Sequence, residues 1–440
     1  MRPLMLTAAF LPAILVTSAS ASPLPKADAT FPAQDVAEVE LGWQLFYDPI
    51  LSGNRSVACA TCHHPDLGTS DGVSLGLGDG ASGLGLERKI DANNPPEKRI
   101  PRNAPALWNL GATEFTVFFH DGRLEEDPSR PSGIRTPLGS EMEMGFDNAL
   151  AAQAMFPVLS GDEMAGHYSE NDVSKAVRLG QLTGPGGAWD ILAKRVEAIP
   201  AYRAAFNEVI GAQEPIKFHH IANALAAFIA FEWRADASAF DAYLREGTPL
   251  TADAAAGLDH FYGKAQCGTC HAGQFQTDHG FHAIALPQIG PGKAAPFERH
   301  NRDIGRGRVT GQEEDFYRFR TPSLRNITQT TPYGHNGAYT SLESMVRHHL
   351  DPVASLKAYT EIHITYSDGK FGTDFKLMRD DPEVIEIAAA NELSPIDLTD
   401  QEVAQILAFL ESLTDYDAIQ GRLGVPESVP SGLPMDQLSN

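Results

Sequence analysis

Cys59-Ala60-Thr61-Cys62-His63 and Cys267-Gly268-Thr269-Cys270-His271 are two C-x-x-C-H segments in one chain of 440 residues. The thiols of such a segment add across the vinyl groups of a haem, and the adjoining histidine binds its iron. Together the segments use all four cysteines. Two covalently bound haems c are therefore expected, one on Cys59, Cys62 and His63, the other on Cys267, Cys270 and His271. A structural zinc site needs four clustered ligands, and each segment alone is one short. A thioredoxin-like C-x-x-C sits in a βαβ context that is missing here. With every cysteine committed to haem, no disulfide is expected.

The elements that must carry these segments read mainly as helix. Val36, Val39, Trp43 and Phe46 form an apolar stripe at helical spacing ahead of Cys59. Ala188 to Ile210 reads as helix, and Ile221 to Phe231 as a nearly all-apolar, buried one. Leu398-Thr399-Asp400-Gln401-Glu402 opens a capped helix whose apolar side is Val403, Ile406, Leu407, Phe409, Leu410 and Leu413. Residues 70–103 are Gly-rich, then Pro-rich, a long loop of the kind that often carries function. A second loop with Gly, His and Pro spans 274–296. The two halves run in similar order: apolar helix, C-x-x-C-H, long loop, Arg-Asn turn, then a histidine element at His120-Asp121-Gly122 or His335-Asn336-Gly337. The expected fold is mainly α, with two tandem cytochrome c-like haem domains and long loops. The N-terminal haem domain is placed at 36–212 and the C-terminal one at 213–418. A linker occupies 22–35, and a Pro/Ser/Gly-rich tail at 419–440 is expected to be flexible.

Met1-Arg2, an apolar run from Leu4 to Val16 and the small residues Ala19-Ser20-Ala21 have the order of a secretory signal peptide, residues 1–21. The expected compartment is the periplasm. No later stretch approaches the length of about 18 apolar residues that a membrane span needs. The net charge of −23 argues against nucleic acid or an anionic membrane surface as partner. It suits a basic protein partner such as a small electron-carrier cytochrome, and solubility alone accounts for it equally well.

Several further stretches resemble the bacterial di-haem cytochrome c peroxidases and their MauG-like relatives. They are Leu45-Phe46-Tyr47-Asp48-Pro49, Arg102-Asn103-Ala104-Pro105, His120-Asp121-Gly122-Arg123, Phe156-Pro157 with Glu163-Met164, and Pro322-Ser323-Leu324-Arg325-Asn326 leading into Thr331-Pro332-Tyr333. The resemblance spans about Leu41 to Thr414. It implies that hydrogen peroxide meets the N-terminal haem, while the C-terminal haem receives electrons from a small cytochrome c or cupredoxin. In many of these peroxidases a distal histidine in the loop after the first haem closes the peroxide site until the other haem is reduced. Here residues 65–119 contain no histidine, and His64 is badly placed to reach the opposite face. The first haem is therefore expected to be open without reductive activation.

The family's general acid/base is a glutamate in a Pro-x5-Glu-Met pattern. Two segments fit, Pro137 with Glu143-Met144 and Pro157 with Glu163-Met164. Glu163 is favoured, because its flanks extend the resemblance; for either, the alternative is a solvated surface carboxylate. The position of the second haem's distal ligand falls on His349, with His348 and Met345 as neighbours on the same expected helix. One of the two adjacent histidines is expected to face solvent. His120 stands where many relatives carry a tryptophan between the haems, with Phe119 and Trp108 close in sequence; it would relay electrons or bind a propionate. The family's interface calcium would fall on Asn103, Thr330 and Pro332, all oxygen donors; a turn cap is the alternative for Asn103. The leading expectation is a cytochrome-c peroxidase-type oxidoreductase. A MauG-like enzyme that oxidises residues of a partner protein is the close alternative. A non-catalytic electron carrier would require two closed, low-spin haems. A homodimer is left open.

Overall fold

The computed structural model describes residues 23–294, 298 and 300–438. The expected signal segment, 1–21, lies outside them. In the N-terminal half, α1 (Val36–Tyr47), α2 (Cys59–Cys62), α3 (Ala149–Ala154), α4 (Asp172–Arg178), α5 (Ala188–Glu197), α6 (Pro200–Ile210) and α7 (Phe218–Glu232) share one core. In the C-terminal half come α8 (Ala239–Glu246), α9 (Ala252–Tyr262), α10 (Gly307–Thr310), α11 (Leu342–Leu350), α12 (Pro352–Ala358), α13 (Asp381–Ala389) and α14 (Asp400–Glu411). Strand is scarce. Val117–Phe118, Leu124–Glu126 and Ile134–Arg135 make a small antiparallel sheet with Phe118 opposite Leu124. The fold is mainly helical, as expected.

Each half is built on one close helix crossing. Asp35 accepts the Glu38 amide and starts α1, satisfying one of the free donors of the first turn. Leu41, Leu45 and Phe46 are then buried against α7. A Cβ on Gly42 would lie 1.8 Å from the Ala224 carbonyl oxygen, so only glycine lets the two backbones touch. The second half repeats the device. A Cβ on Gly257 of α9 would lie 1.9 Å from the Gln405 carbonyl oxygen of α14. Thr399 and Glu402 cap α14 reciprocally. In both halves a C-x-x-C-H segment follows the first helix of the pair.

Two boundary expectations are corrected. The division at 212/213 would assign α7 to the second half. Its apolar run instead closes on α1, and the first core continues to Trp233 and Ala235 before the second begins at Phe240. The tail, expected to be flexible, is packed along the N-terminal half. Val429 is buried in the first core. Ser431 donates to Asp48 at 2.6 Å, and the amides of Leu423 and Gly424 donate to the buried Glu232. Asp436 accepts from Thr61 inside the first haem segment, from the Gly83 amide and from Arg88. These polar contacts hold a composition that by itself favours looseness.

The halves are also joined through buried charge. Arg102 makes a two-pronged bond to Asp303, at 2.7 and 2.8 Å, and reaches Asp121 at 2.7 Å. The long loop after the first haem segment crosses as well. Leu75 is buried with Ile289, Ala338, Tyr339 and Tyr359, and Arg99 is held by Asp374 and the Gly369 carbonyl.

Candidate active site

The two C-x-x-C-H segments present the same local device. His63 Nδ1 lies 3.0 Å from the Thr69 carbonyl oxygen, and His271 Nδ1 lies 3.0 Å from the Gln276 carbonyl oxygen. A carbonyl only accepts, so each Nδ1 carries the proton and each Nε2 keeps a free lone pair. A hydrogen bond of this kind is what sets the orientation of a metal-binding imidazole. Burial lowers the pKa of both rings, that of His271 to about 4 with His349 adding to the effect. Both are therefore neutral and able to bind a metal. Burial also pushes the thiols of Cys59, Cys62 and Cys267 up to about 12. Such thiols are not the ready thiolates of a zinc site.

His349 faces His271. Their ring centroids are 6.2 Å apart with 58° between planes. Two metal–imidazole bonds of about 2 Å, with ~1 Å from each nitrogen to its ring centre, span about 6 Å. His349 Nδ1 is held by the Met345 carbonyl oxygen at 2.8 Å, which again leaves Nε2 free. The donor set thus fits an iron with two imidazole ligands. His348 is excluded, because both its nitrogens are already used, by Tyr339 at 3.0 Å and by the Ile284 carbonyl at 2.7 Å. It is also fully buried. The expectation that one of this pair faces solvent is corrected: His348 is fully buried and His349 is half-buried facing His271, while Glu343 and Arg347 carry the exposed side of α11.

Glu163 and Glu143 separate clearly. Glu163 follows the Pro157–Leu159 turn, and its carbonyl accepts the Asp79 amide at 2.9 Å. A Cβ on Gly78 would lie 2.5 Å from that carbonyl, so the Gly-rich loop clamps the Glu163 backbone. Its carboxylate is close enough to Cys62 to raise the pKa of that thiol. Burial raises Glu163 above the usual carboxylate range, with Lys293 and Arg123 pulling it back. Glu143 lies elsewhere, 3.9 Å from His219 at the start of α7.

Two charged residues of this region were not singled out from sequence. Asp71 is buried beside Cys62, and burial pushes its carboxyl up to about 7. Lys293, from a loop of the second half, is pushed down to about 8 by burial and by Arg123 and Arg102. Asp71 stands only eight positions beyond His63, a proximity the sequence does contain. Lys293 carries no such signal, because only the fold brings it to Glu163.

His120 lies at the junction of the halves. Burial, then Arg102 and His335, hold its pKa well below the usual histidine value, and its carbonyl accepts the Arg320 amide at 2.8 Å. His335 is buried, with its ring 3.6 Å from that of Phe319. Asn103 donates through its amide nitrogen to the Val73 carbonyl at 2.8 Å, and its backbone amide donates to the His335 carbonyl. The Thr330–Pro332 turn reaches the same region: a Cβ on Gly337 would lie 2.6 Å from Ser74 O and 2.9 Å from Pro332 Cγ. Among the described residues, the group of three metal-type side chains that does gather is Cys270, Asp278 and His282, within 4.8 Å of one another. The thioether bond expected at Cys270 would take it out of that set. No described helix is long and apolar enough to cross a membrane.

Comparison with known proteins gives consistent likenesses. The profile of the family described as di-haem cytochrome c peroxidase matches residues 36–248. The methylamine utilization protein MauG of Methylorubrum extorquens is 31% identical over 334 residues, 74% of this chain and 71% of its own. Cytochrome c551 peroxidase of Pseudomonas aeruginosa is 28% identical over 332 residues, 75% of this chain and 77% of its own. Among solved structures, a MauG-like protein associated with microbial copper homeostasis aligns with TM-score 0.57 at 25% identity, over 92% of this chain and 97% of that one. The diheme peroxidase BthA from Burkholderia thailandensis aligns with TM-score 0.56 at 20% identity, over 92% of this chain and 91% of that one. At that identity the second likeness concerns the fold alone.

Proposed function

Because the chain belongs to the family of the di-haem cytochrome c peroxidases and MauG, whose members carry two c-type haems, we propose that it reduces hydrogen peroxide to water with electrons from a small redox protein. The observation that carries this reading is Glu163, a half-buried carboxyl beside the first haem segment, in a chain whose loop 65–119 has no histidine to close that site.

Cys59, Cys62 and His63 would hold the first haem, and Cys267, Cys270, His271 and His349 the second. The haems, when bound, supply the redox chemistry. The chain's own residues do the rest. Glu163 accepts a proton from the nearer peroxide oxygen and gives it to the departing one. Lys293 and Arg123 place positive charge near that carboxylate and oppose the upward pull of burial on its pKa. Thr69 and Gln276 fix the tautomers of His63 and His271. His120 and the Arg102 network lie between the halves, where electrons must pass. The reading includes two tandem cytochrome c-like domains, supported by the repeated Gly42 and Gly257 crossings. It also includes an interface calcium on Asn103, Thr330 and Pro332, supported by the approach of Asn103 and Pro332 to Ser74. Export to the periplasm, with residues 1–21 removed, completes it.

A test is peroxide-dependent oxidation of a reduced small cytochrome c by the holoprotein. Glu163→Gln should lower kcat by about 10²–10⁴-fold, the usual share of a general acid/base. A change of less than about threefold would remove Glu163 from the mechanism. The 31% identity with MauG favours a second reading, oxidation of residues on a partner protein. In that case peroxide changes the haem spectrum but no small donor supports turnover.

A further inference from the structure

Asp374 belongs to the second half, but most of what it holds bears on the first. Its carboxylate accepts from Arg99 Nε at 3.1 Å and from the Phe371 amide at 3.0 Å. Its carbonyl accepts the Gly290 amide at 3.0 Å. Arg99 is fully buried. It also donates to the carbonyls of Asp368 and Gly369, at 3.3 and 2.8 Å, and its guanidinium carbon lies 4.0 Å from the centre of the Tyr366 ring. Two further points of the same first-half loop are tied to this segment. The Ser74 amide donates to the Thr365 carbonyl at 2.7 Å, and the Thr365 amide donates back to Ser74 Oγ at 3.0 Å. The Ile90 amide donates to the Asp368 carboxylate at 3.2 Å. Residues 365–374 form a strap of the second half across the loop that follows the first haem segment.

The strap reaches Glu163 through backbone. Next to Arg99, the Ile100 amide donates to the Gly76 carbonyl at 3.0 Å. Arg88 donates to the carbonyls of Leu77 and Gly78, at 2.6 and 2.7 Å. Gly78 packs on the Glu163 carbonyl, and the Asp79 amide donates to that carbonyl at 2.9 Å. Residues 76–79 therefore cannot shift without loosening Arg99 or Arg88, and with them would go the Glu163 backbone. A second route starts at the Asp374 carbonyl. Gly290, at φ 79°, packs so closely on Leu75 that a Cβ would lie 2.0 Å from Leu75 Cδ1. Three positions on, Lys293 places positive charge near Glu163. A buried guanidinium bonded on two sides makes a stiff joint, because its donors lie in one rigid plane.

We propose that Arg99 and Asp374 are positioning residues for Glu163: the strap of the second half fixes the loop that aims this carboxyl at peroxide. The proposal rests on the peroxidase reading. Neither residue touches peroxide or moves a proton. They hold Glu163 where it can take a proton from one oxygen and give it to the other. A displacement of about 1 Å in such a group costs on the order of 10²-fold in rate. The first site is then complete only when the second half is docked on it.

The experiment is a double-mutant cycle on the holoprotein, Arg99→Gln and Glu163→Gln singly and together, read as peroxide-dependent oxidation of a reduced small cytochrome c. Alone, Arg99→Gln should lower kcat by about 10–100-fold and leave KM for the donor unchanged. In the Glu163→Gln background it should change kcat by less than about twofold, because the group it aims is gone. Arg99→Lys keeps a charge opposite Asp374 and should recover most of the loss. Hydrogen exchange of the native holoprotein depends on no variant folding: segments 74–80, 98–102 and 365–374 should exchange slowly and at one rate. A kcat for Arg99→Gln within about twofold of native, an equal loss in both backgrounds, or fast exchange confined to 365–374 overturns this proposal alone. A native rate in Glu163→Gln overturns the peroxidase reading of that site and this proposal with it.

Discussion

His348 and His349 are neighbours on α11 with opposite chemical positions: His348 has both ring nitrogens bonded to protein, while His349 keeps Nε2 free toward His271. One residue of rotation along the helix separates a structural histidine from a candidate iron ligand.

Substitution should therefore divide cleanly between them. His349→Met replaces imidazole by thioether and should raise the potential of the second haem, by on the order of 0.1 V. His348→Ala takes one of two partners from the buried Tyr339 hydroxyl, which keeps Ser355, and removes the His348 donor from the Ile284 carbonyl, at a cost of about 1–3 kcal/mol. It should leave the two-imidazole spectrum of that haem in place. Redox titration and thermal unfolding of both variants measure the two effects.

Glu163 should dominate the pH profile. Burial raises its carboxyl above 4.5, against the pull of Lys293 and Arg123. The base form is the one that takes the peroxide proton, so activity should be full above the raised pKa and fall as pH drops through it. The acid limb of kcat/KM should lie above the ordinary glutamate range and vanish in Glu163→Gln. Glu143→Gln, altered far from Cys62, should leave rate and profile within about twofold of the native protein.

The Arg102 network should govern acid stability of the junction. Burial alone would raise the carboxyls of Asp121 and Asp303, but Arg102 outweighs it and holds both well below the usual carboxylate range. Their contribution is then fully present above the unfolded aspartate value of about 3.9 and is lost as pH falls below it. Asp303→Asn should cost about 3–5 kcal/mol at neutral pH, because Arg102 stays buried with half its pairing gone. Unfolding followed from pH 7 to pH 3 should show the variant losing less with acid than the native protein.

The tail should act as a clamp on the first haem segment. Asp436→Ala removes acceptors from Thr61, Gly83 and Arg88, and should lower stability by about 1–2 kcal/mol. Removal of residues 419–440 should do more, since it also uncovers Glu232 and Val429. Thermal unfolding and protease nicking of the loop near Gly83 read both effects.

What the sequence revealed and what it hid follow from range. The C-x-x-C-H segments are local chemistry and are visible at once. The spacing from His335 to His349 survives because one helix carries the second of them. The apolar run of α7 reads correctly as buried, but only Gly42 against Ala224 shows which core it joins, and that contact spans most of a domain. The tail misled for the same reason. Its Pro, Gly and Ser residues argue for looseness, while Asp436 finds Thr61 across nearly the whole chain. Lys293 becomes part of the first site only when the second half folds onto it, so no pattern of neighbours announces it.

The most direct test of the central claim is the initial rate at which fully oxidised holoprotein, never pre-reduced, catalyses peroxide-dependent oxidation of a reduced small cytochrome c. Turnover from the first seconds, with no lag and no faster rate when the protein is half-reduced beforehand, is the expected result for a first haem that no loop histidine closes. A lag abolished by pre-reduction, or a haem spectrum indifferent to peroxide until one electron is added, would contradict it.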